Sequence, residues 1–310
     1  MSERFGRQLK RWADRLRLGL VGFVAPAFLV ASVTATQSAS AVDPSPSKLR
    51  SETIAAFDRY ERSTDERNDG ELKRGLALLW IDSLPEAQRA EAYAELKRGE
   101  VLIHQLSTLD NGKPIPCPGG LIHHWVGVVF IPGARLGNVL GVLQDYDHQS
   151  TYYARDVERS KTESQEGGHF RVFLRFRRRK VITVVLNTEH DVHYFRDAAG
   201  RAHSRSSAIR IAEVENPGKS DERERPPGDD GGYLWRMETW WRMEERDGGV
   251  YVQSEVASLT RDIPTGLGWL VGPFVTSIPK ETLAFTLEAT RKAAAAKSQS
   301  KDQSRRGNAQ

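Results

Sequence analysis

The sequence predicts an α+β fold in which a curved antiparallel sheet of about seven strands wraps around a long C-terminal helix, behind an N-terminal helical extension. Three observations lead there. From residue 157 to 261 the chain is a succession of strand-like segments punctuated by Gly167-Gly168, Ala199-Gly200 and Asp247-Gly248-Gly249, the pattern of hairpin turns. A strand and two short helices precede that run, and a helix opening at Pro279 closes it. A twisted sheet buries such a helix by curling around it.

The elements follow in order. Residues 1–41 read as export information: Arg4, Arg7, Lys10, Arg11, Arg15 and Arg17 precede the uncharged run LGLVGFVAPAFLVASV, and Ala39-Ser40-Ala41 ends it. That is the order of a signal peptide. The alternative is an uncleaved anchor, but the run has 16 residues, contains Pro26, and is short of the roughly 20 that cross a bilayer. The expected location is periplasmic or secreted. The whole chain has 45 Lys+Arg and 41 Asp+Glu; beyond residue 41 the two counts are 39 and 39. A balanced charge argues against nucleic acid, which requires a concentrated basic face. Cys117 is the only cysteine, so no internal disulfide forms and the fold depends on its apolar core.

Residues 42–99 read as a helical extension. Ile54, Phe57 and Tyr60 set a first helix, RSTDERNDG breaks it, a short second helix covers 72–81, and Pro85 starts a third that Gly99 stops. The main domain spans 100–296. LIHHWVGVVFI is a buried strand, and Leu136, Val139, Leu140, Leu143 and Tyr146 repeat at helical spacing. In HFRVFLRFRRR, Phe170, Val172, Leu174 and Phe176 alternate with Arg171, Phe173, Arg175 and Arg177. NPGKSDERERPPGDDGG, residues 216–232, is expected to be a solvated, mobile loop. The final helix runs from Pro279 to about residue 296, with a frayed tail over 297–310.

Where sheet and helix diverge, an apolar hollow is expected to remain. On YLWRMETWWRME, alternation places Trp235, Met237, Thr239, Trp241 and Met243 on one face, and the first, second, fourth and fifth are candidate ligand contacts. Against this stands ordinary core packing on the last helix.

The same order resembles the START-like, or polyketide-cyclase (SRPBCC), superfamily with its helix-grip fold. The resemblance rests on LIHHWVGVVFIPGARLGNVLGVLQDYDHQSTYY and on GVYVQSEVASLTRDIPTGLGWLVGPFVTSIPKETLAFTLEATRKA, and covers roughly residues 118–296. It implies a hydrophobic small molecule or lipid as partner, and in some branches cyclase or hydrolase chemistry. It also implies that IPTGLGWLVGPF is the loop before the grip helix, so that Leu267, Trp269, Leu270 and Phe274 line or gate the cavity mouth. Arg261, just before that loop, is a candidate head-group contact.

Signatures of catalysis are missing: the sequence has no G-x-S-x-G, H-E-x-x-H, phosphate loop or G-x-G-x-x-G. No cofactor, catalytic residue or metal ligand is assigned. Adjacent His123 and His124 point to opposite faces, whereas Glu189, Asp191 and His193 share one. That trio holds a metal or base if it faces inward, and is a charged surface if it faces outward. RFRRRK, residues 175–180, is the one dense basic run, read as a solvated turn or as a contact for anionic membrane. Three functions stay open: a binding or transfer protein for a lipid-like ligand, an envelope interaction protein, and a cofactor-free enzyme on a hydrophobic substrate. Nothing in the sequence sets the oligomeric state.

Overall fold

The computed structural model describes residues 47–75, 78–179, 183–197, 200–262 and 268–307, with the backbone alone for 47, 268–276 and 300–307. The leader, Lys180 and Leu267 lie outside the described residues. Helices α1 (Ser51–Arg74) and α2 (Glu86–Lys97) come first, then strands β1 (Val101–Gln105) and β2 (Gly120–Pro132). Helices α3 (Leu136–Leu143) and α4 (Gln149–Tyr152) lead into β3 (Val157–Glu166), β4 (His169–Arg179), β5 (Thr183–Arg196) and β6 (Arg201–Glu215). Strands β7 (Arg236–Arg246) and β8 (Gly249–Arg261) precede the 40-residue helix α5 (Gly268–Gly307).

These strands form one antiparallel sheet in the order β1-β2-β8-β7-β6-β5-β4-β3, and Arg223–Glu224 adds a short pairing to β6. The sheet packs against the long last helix, as the sequence predicts, with eight strands along the path instead of about seven. No helix among the described residues is long and apolar enough to cross a membrane.

Alternation gives the sheet two different faces. The inner face meets α3 and α5. Val129, Ile131, Val250, Val252, Met243 and Ala202 join Leu136, Val139, Leu283 and Leu287 in the largest cluster. Leu287 comes close over Gly127, where a Cβ would lie 2.6 Å from Leu287 Cδ1 and 2.5 Å from Ile103 Cδ1. The outer face is covered by α1 and α2. Phe57 and Tyr60 pack with Trp240, Ala257 and Leu259, while Ala92 and Leu96 pack with Val128, Phe130 and Tyr251.

Several local expectations give way here. Helix α1 runs unbroken through RSTDERNDG, because its buried stripe continues as Tyr60, Thr64 and Asn68, four residues apart and polar. Residues 72–81 hold the end of α1 and, from Trp80, a 3-10 turn instead of a second helix. Residues 216–232 are tied down. Glu222 bonds Arg175, Arg225 N–H donates to Glu213 O at 2.8 Å, and Asp229–Asp230 pairs with Ser47–Lys48. Helix α5 begins within the stretch expected to be a loop and continues to Gly307 in the expected tail.

Candidate functional site

Strand register assembles the inner face row by row. Val129, Val252, Met243 and Ala202 lie side by side on β2, β8, β7 and β6, all 0–2% exposed, so this row is closed core. One step along, Gly127, Ser254, Trp241 and Ser204 follow, and then Trp125, Val256, Thr239 and Ser206. Beyond them Met237 stands opposite Ser258, which in turn faces His123. Burial is uneven along these rows, for Gly127, Ser254, Ser204, Ser258 and His123 are buried. Trp241, Trp125, Val256, Thr239, Ser206 and Met237 are only half-buried, although they sit on central strands. Helix α5 starts beyond the Arg261 end of β8 and reaches the level of Gly127 at Leu287, its twentieth residue.

The accessible band is therefore an apolar floor with a few polar atoms. The donors Trp125 Nε1 and Ser254 Oγ are buried and have no hydrogen-bond partner among the described residues. His123 Nε2 lies 3.0 Å from Thr260 Oγ1, and burial pulls its pKa down. His190 donates from Nε2 to Thr188 Oγ1 at 2.8 Å, because that hydroxyl gives its own proton to Leu174 O. Burial pulls His190 down to about 4, so the ring is neutral. The two histidines stand four strands apart, on the order of 19 Å along the sheet at about 4.8 Å per strand. They do not converge as an acid–base pair.

The sequence-predicted residues divide accordingly. Met237 and Trp241 lie in the accessible band, and Met243 lies in the closed core. Trp235 stands apart from them. It precedes β7, packs with Phe57 and Leu259 on the outer side, and donates from Nε1 to Asp230 Oδ1 at 2.9 Å. Trp269, Leu270 and Phe274 fall in the first turns of α5, where side chains are outside the described residues, as is Leu267 altogether. Arg261 lies against Gly232, where a Cβ would meet its side chain, and its N–H donates to Gly232 O at 2.8 Å. Sequence reasoning assigns no role to Trp125, Ser206, Val256 or Thr239. Their strand alternation is visible, but their neighbourhood with Trp241 depends on pairing.

Two surface depressions lie elsewhere. One, about 440 Å³, is lined by Arg155, Asp156, Glu158, Arg177 and Arg178; the other, about 160 Å³, lies beside Leu72, Leu78, Phe195 and His203. Three arginines of the basic run form ion pairs beside the first. Arg175 is buried against Glu158 and Glu222, Arg177 bonds Glu158, and Arg178 bonds Asp156 and Glu281. Three arginines of the run are thus paired, and Lys180 lies outside the described residues.

The outer face holds a buried polar chain beneath α1. Thr108 N–H donates to Tyr60 OH at 2.8 Å, Tyr60 OH to His124 Nδ1 at 2.8 Å, and His124 Nε2–H to Glu255 Oε1 at 2.8 Å. Arg67 completes the ion pair with Glu255. Burial pushes Glu255 up, but the His124 hydrogen bond and the Arg67 charge outweigh it, leaving the carboxyl below its ordinary range. Glu255 thus lies on the outer face, away from α5. Tyr60, His124 and Glu255 are 5%, 2% and 1% exposed, so the chain is enclosed beneath α1. Cys117 is half-buried, and burial pushes its thiol up, away from nucleophilic character.

Comparison with solved structures finds distant likenesses. The protein TTHA0849 from Thermus thermophilus is 15% identical, with 57% of this chain and 97% of that chain covered and a TM-score of 0.37. A STAR-related lipid transfer protein fragment from Xanthomonas axonopodis gives 17%, 62%, 98% and 0.39, and human STARD10 gives 9%, 68%, 81% and 0.38. No family model matches the chain, and no curated protein matches it. Likeness at this level says nothing about function.

Proposed function

We propose that the chain is a binding or transfer protein that holds a hydrophobic, lipid-like molecule between the inner face of the sheet and the first turns of α5. The observation that carries this reading is the partial exposure of large side chains on the inner face. Met243 is 0% exposed, whereas Trp241 and Met237 on the same strand and Trp125 on β2 remain half-buried beneath a long helix. Large apolar side chains in the middle of a sheet normally contribute to a closed core. Left accessible, they favour an apolar guest. Covering roughly 300 Å² of ligand surface supplies about 7 kcal/mol at 25 cal/mol per Å², before the cost of immobilising it. Trp125 Nε1 and Ser254 Oγ are buried donors, and a guest that reached either with a carbonyl or ester oxygen would satisfy it as a pure hydrocarbon would not. Binding is favoured over catalysis because His123 and His190 are too far apart to act together.

The proposal includes export, with the leader removed near residue 41, so that the ligand is met in the cell envelope. Native mass spectrometry of protein purified gently from the envelope, followed by organic extraction, tests both parts. The expected result is a chain lacking its first 41 residues and carrying one hydrophobic molecule. A ligand-free protein that also fails to take up a fluorescent fatty-acid probe would end the binding reading. A full-length chain that does bind would end only the export part.

A further inference from the structure

We infer that the outer face of the β4–β5 pair carries a binding site for a divalent transition metal of the zinc type, built from His169, Asp191 and His193. The cluster arises from register. His169 opens β4 directly opposite His193 on β5, and Asp191, two residues from His193, projects from the same face. The two imidazoles stack at 4.2 Å between centroids with 5° between planes. Both present Nε2 to one oxygen: His169 Nε2 lies 2.5 Å and His193 Nε2 3.3 Å from Asp191 Oδ1. One ligand atom from each residue lies within 4.8 Å of the other two.

Two imidazole nitrogens and a carboxylate oxygen are the donors of open zinc sites, with remaining positions left to water. Donors bonded to zinc at about 2.0–2.1 Å stand about 3.3 Å apart at tetrahedral angles. The His193–Asp191 edge already has that length, and the His169–Asp191 edge has to open by less than about 1 Å. Parallel rings cannot both aim a lone pair at one ion, so each ring must turn about its Cβ–Cγ bond. Side-chain exposures of 41% for His169 and 49% for His193 leave room for that rotation. Arg171 approaches the other carboxylate oxygen, Asp191 Oδ2, at 3.6 Å, and its positive charge opposes a cation. Glu189, the next residue on this face, pairs with Arg210 at 3.5 Å and stays outside the cluster. Without metal a ring Nε2–H donates to Oδ1, and binding a metal through that Nε2 requires the ring to carry its proton on Nδ1 instead.

Isothermal titration of the full chain with Zn²⁺ tests the site. The wild type is expected to bind one ion, with Kd in the micromolar range or tighter. The double variant His169→Ala/His193→Ala should weaken binding at least tenfold with unchanged circular dichroism. Asp191→Asn should also weaken it, and Arg171→Gln should tighten it. Absence of saturable binding by the wild type, or a stoichiometric ion retained by the folded double variant, overturns the inference. None of these outcomes depends on whether an apolar ligand is bound.

Discussion

Single residues show how burial decides chemistry. Glu238, on the outer face of β7, is pushed up to about 8, chiefly by burial and by nearby Glu61, against a hydrogen bond from Ser207. The folded chain therefore holds a proton there that the unfolded chain releases above about pH 4.5. This contribution to stability is fully present below that pH and is lost as pH rises towards about 8. Glu238→Gln should flatten this part of the pH–stability curve, measured by urea unfolding at several pH values. On the inner side of β7 two neighbours in alternation should separate stability from binding. Met243→Ala leaves a cavity in closed core and should cost about 2–5 kcal/mol in the same assay. Trp241→Ala should cost less, yet reduce retention of a fluorescent fatty-acid probe at least tenfold. Equal loss of stability in both variants would contradict an accessible floor.

At the level of elements, α1 and α5 press on opposite faces in different ways. Helix α1 adds buried ion pairs to the apolar packing of Phe57 and Tyr60, whereas α5 meets the sheet through Leu283 and Leu287. His124→Ala removes a donor to Glu255, a carboxylate 1% exposed, and should destabilise by about 3 kcal/mol, because a buried charge then keeps too few partners. Gly127→Val instead pushes side-chain atoms into Leu287 and Ile103, and overpacking of this kind costs about 1–3 kcal/mol by thermal or urea denaturation. Residues 216–232 give a third test. Trypsin should cleave slowly after Arg223 in the native protein. Arg223 pairs in the ladder and with Glu215, and Arg225 joins the same carboxylate. Rapid cleavage there would restore the mobile loop that composition alone suggests.

Across the whole molecule, legibility follows the range of the signal. The alternation of Phe170, Val172, Leu174 and Phe176 reads directly as an inner face, since those residues are buried or half-buried there. Met237, Trp241 and Met243 share a face as alternation requires, but alternation cannot report that the first two are accessible and the third is sealed. Hydrophobic periodicity ends helix α1 too early, because Thr64 and Asn68 are the buried residues further along and Asp65 accepts the Trp240 indole N–H. His169 is invisible in the sequence as a partner of Asp191 because 22 residues separate them, and only pairing of β4 with β5 joins them.

The sequence by itself determined the class of fold, the order of strands and final helix, and the alternation that makes each strand two-faced. Those properties depend on side-chain periods of two or about four residues, which any local stretch of chain carries. Tertiary structure decided the rest: the fate of the arginines in the basic run, the turning of Glu255 outwards, the meeting of His169 with Asp191 and His193, and the partial exposure of Trp125 and Trp241. Such outcomes are set by strand register and by which helix covers which rows, and those contacts join residues tens to nearly two hundred positions apart.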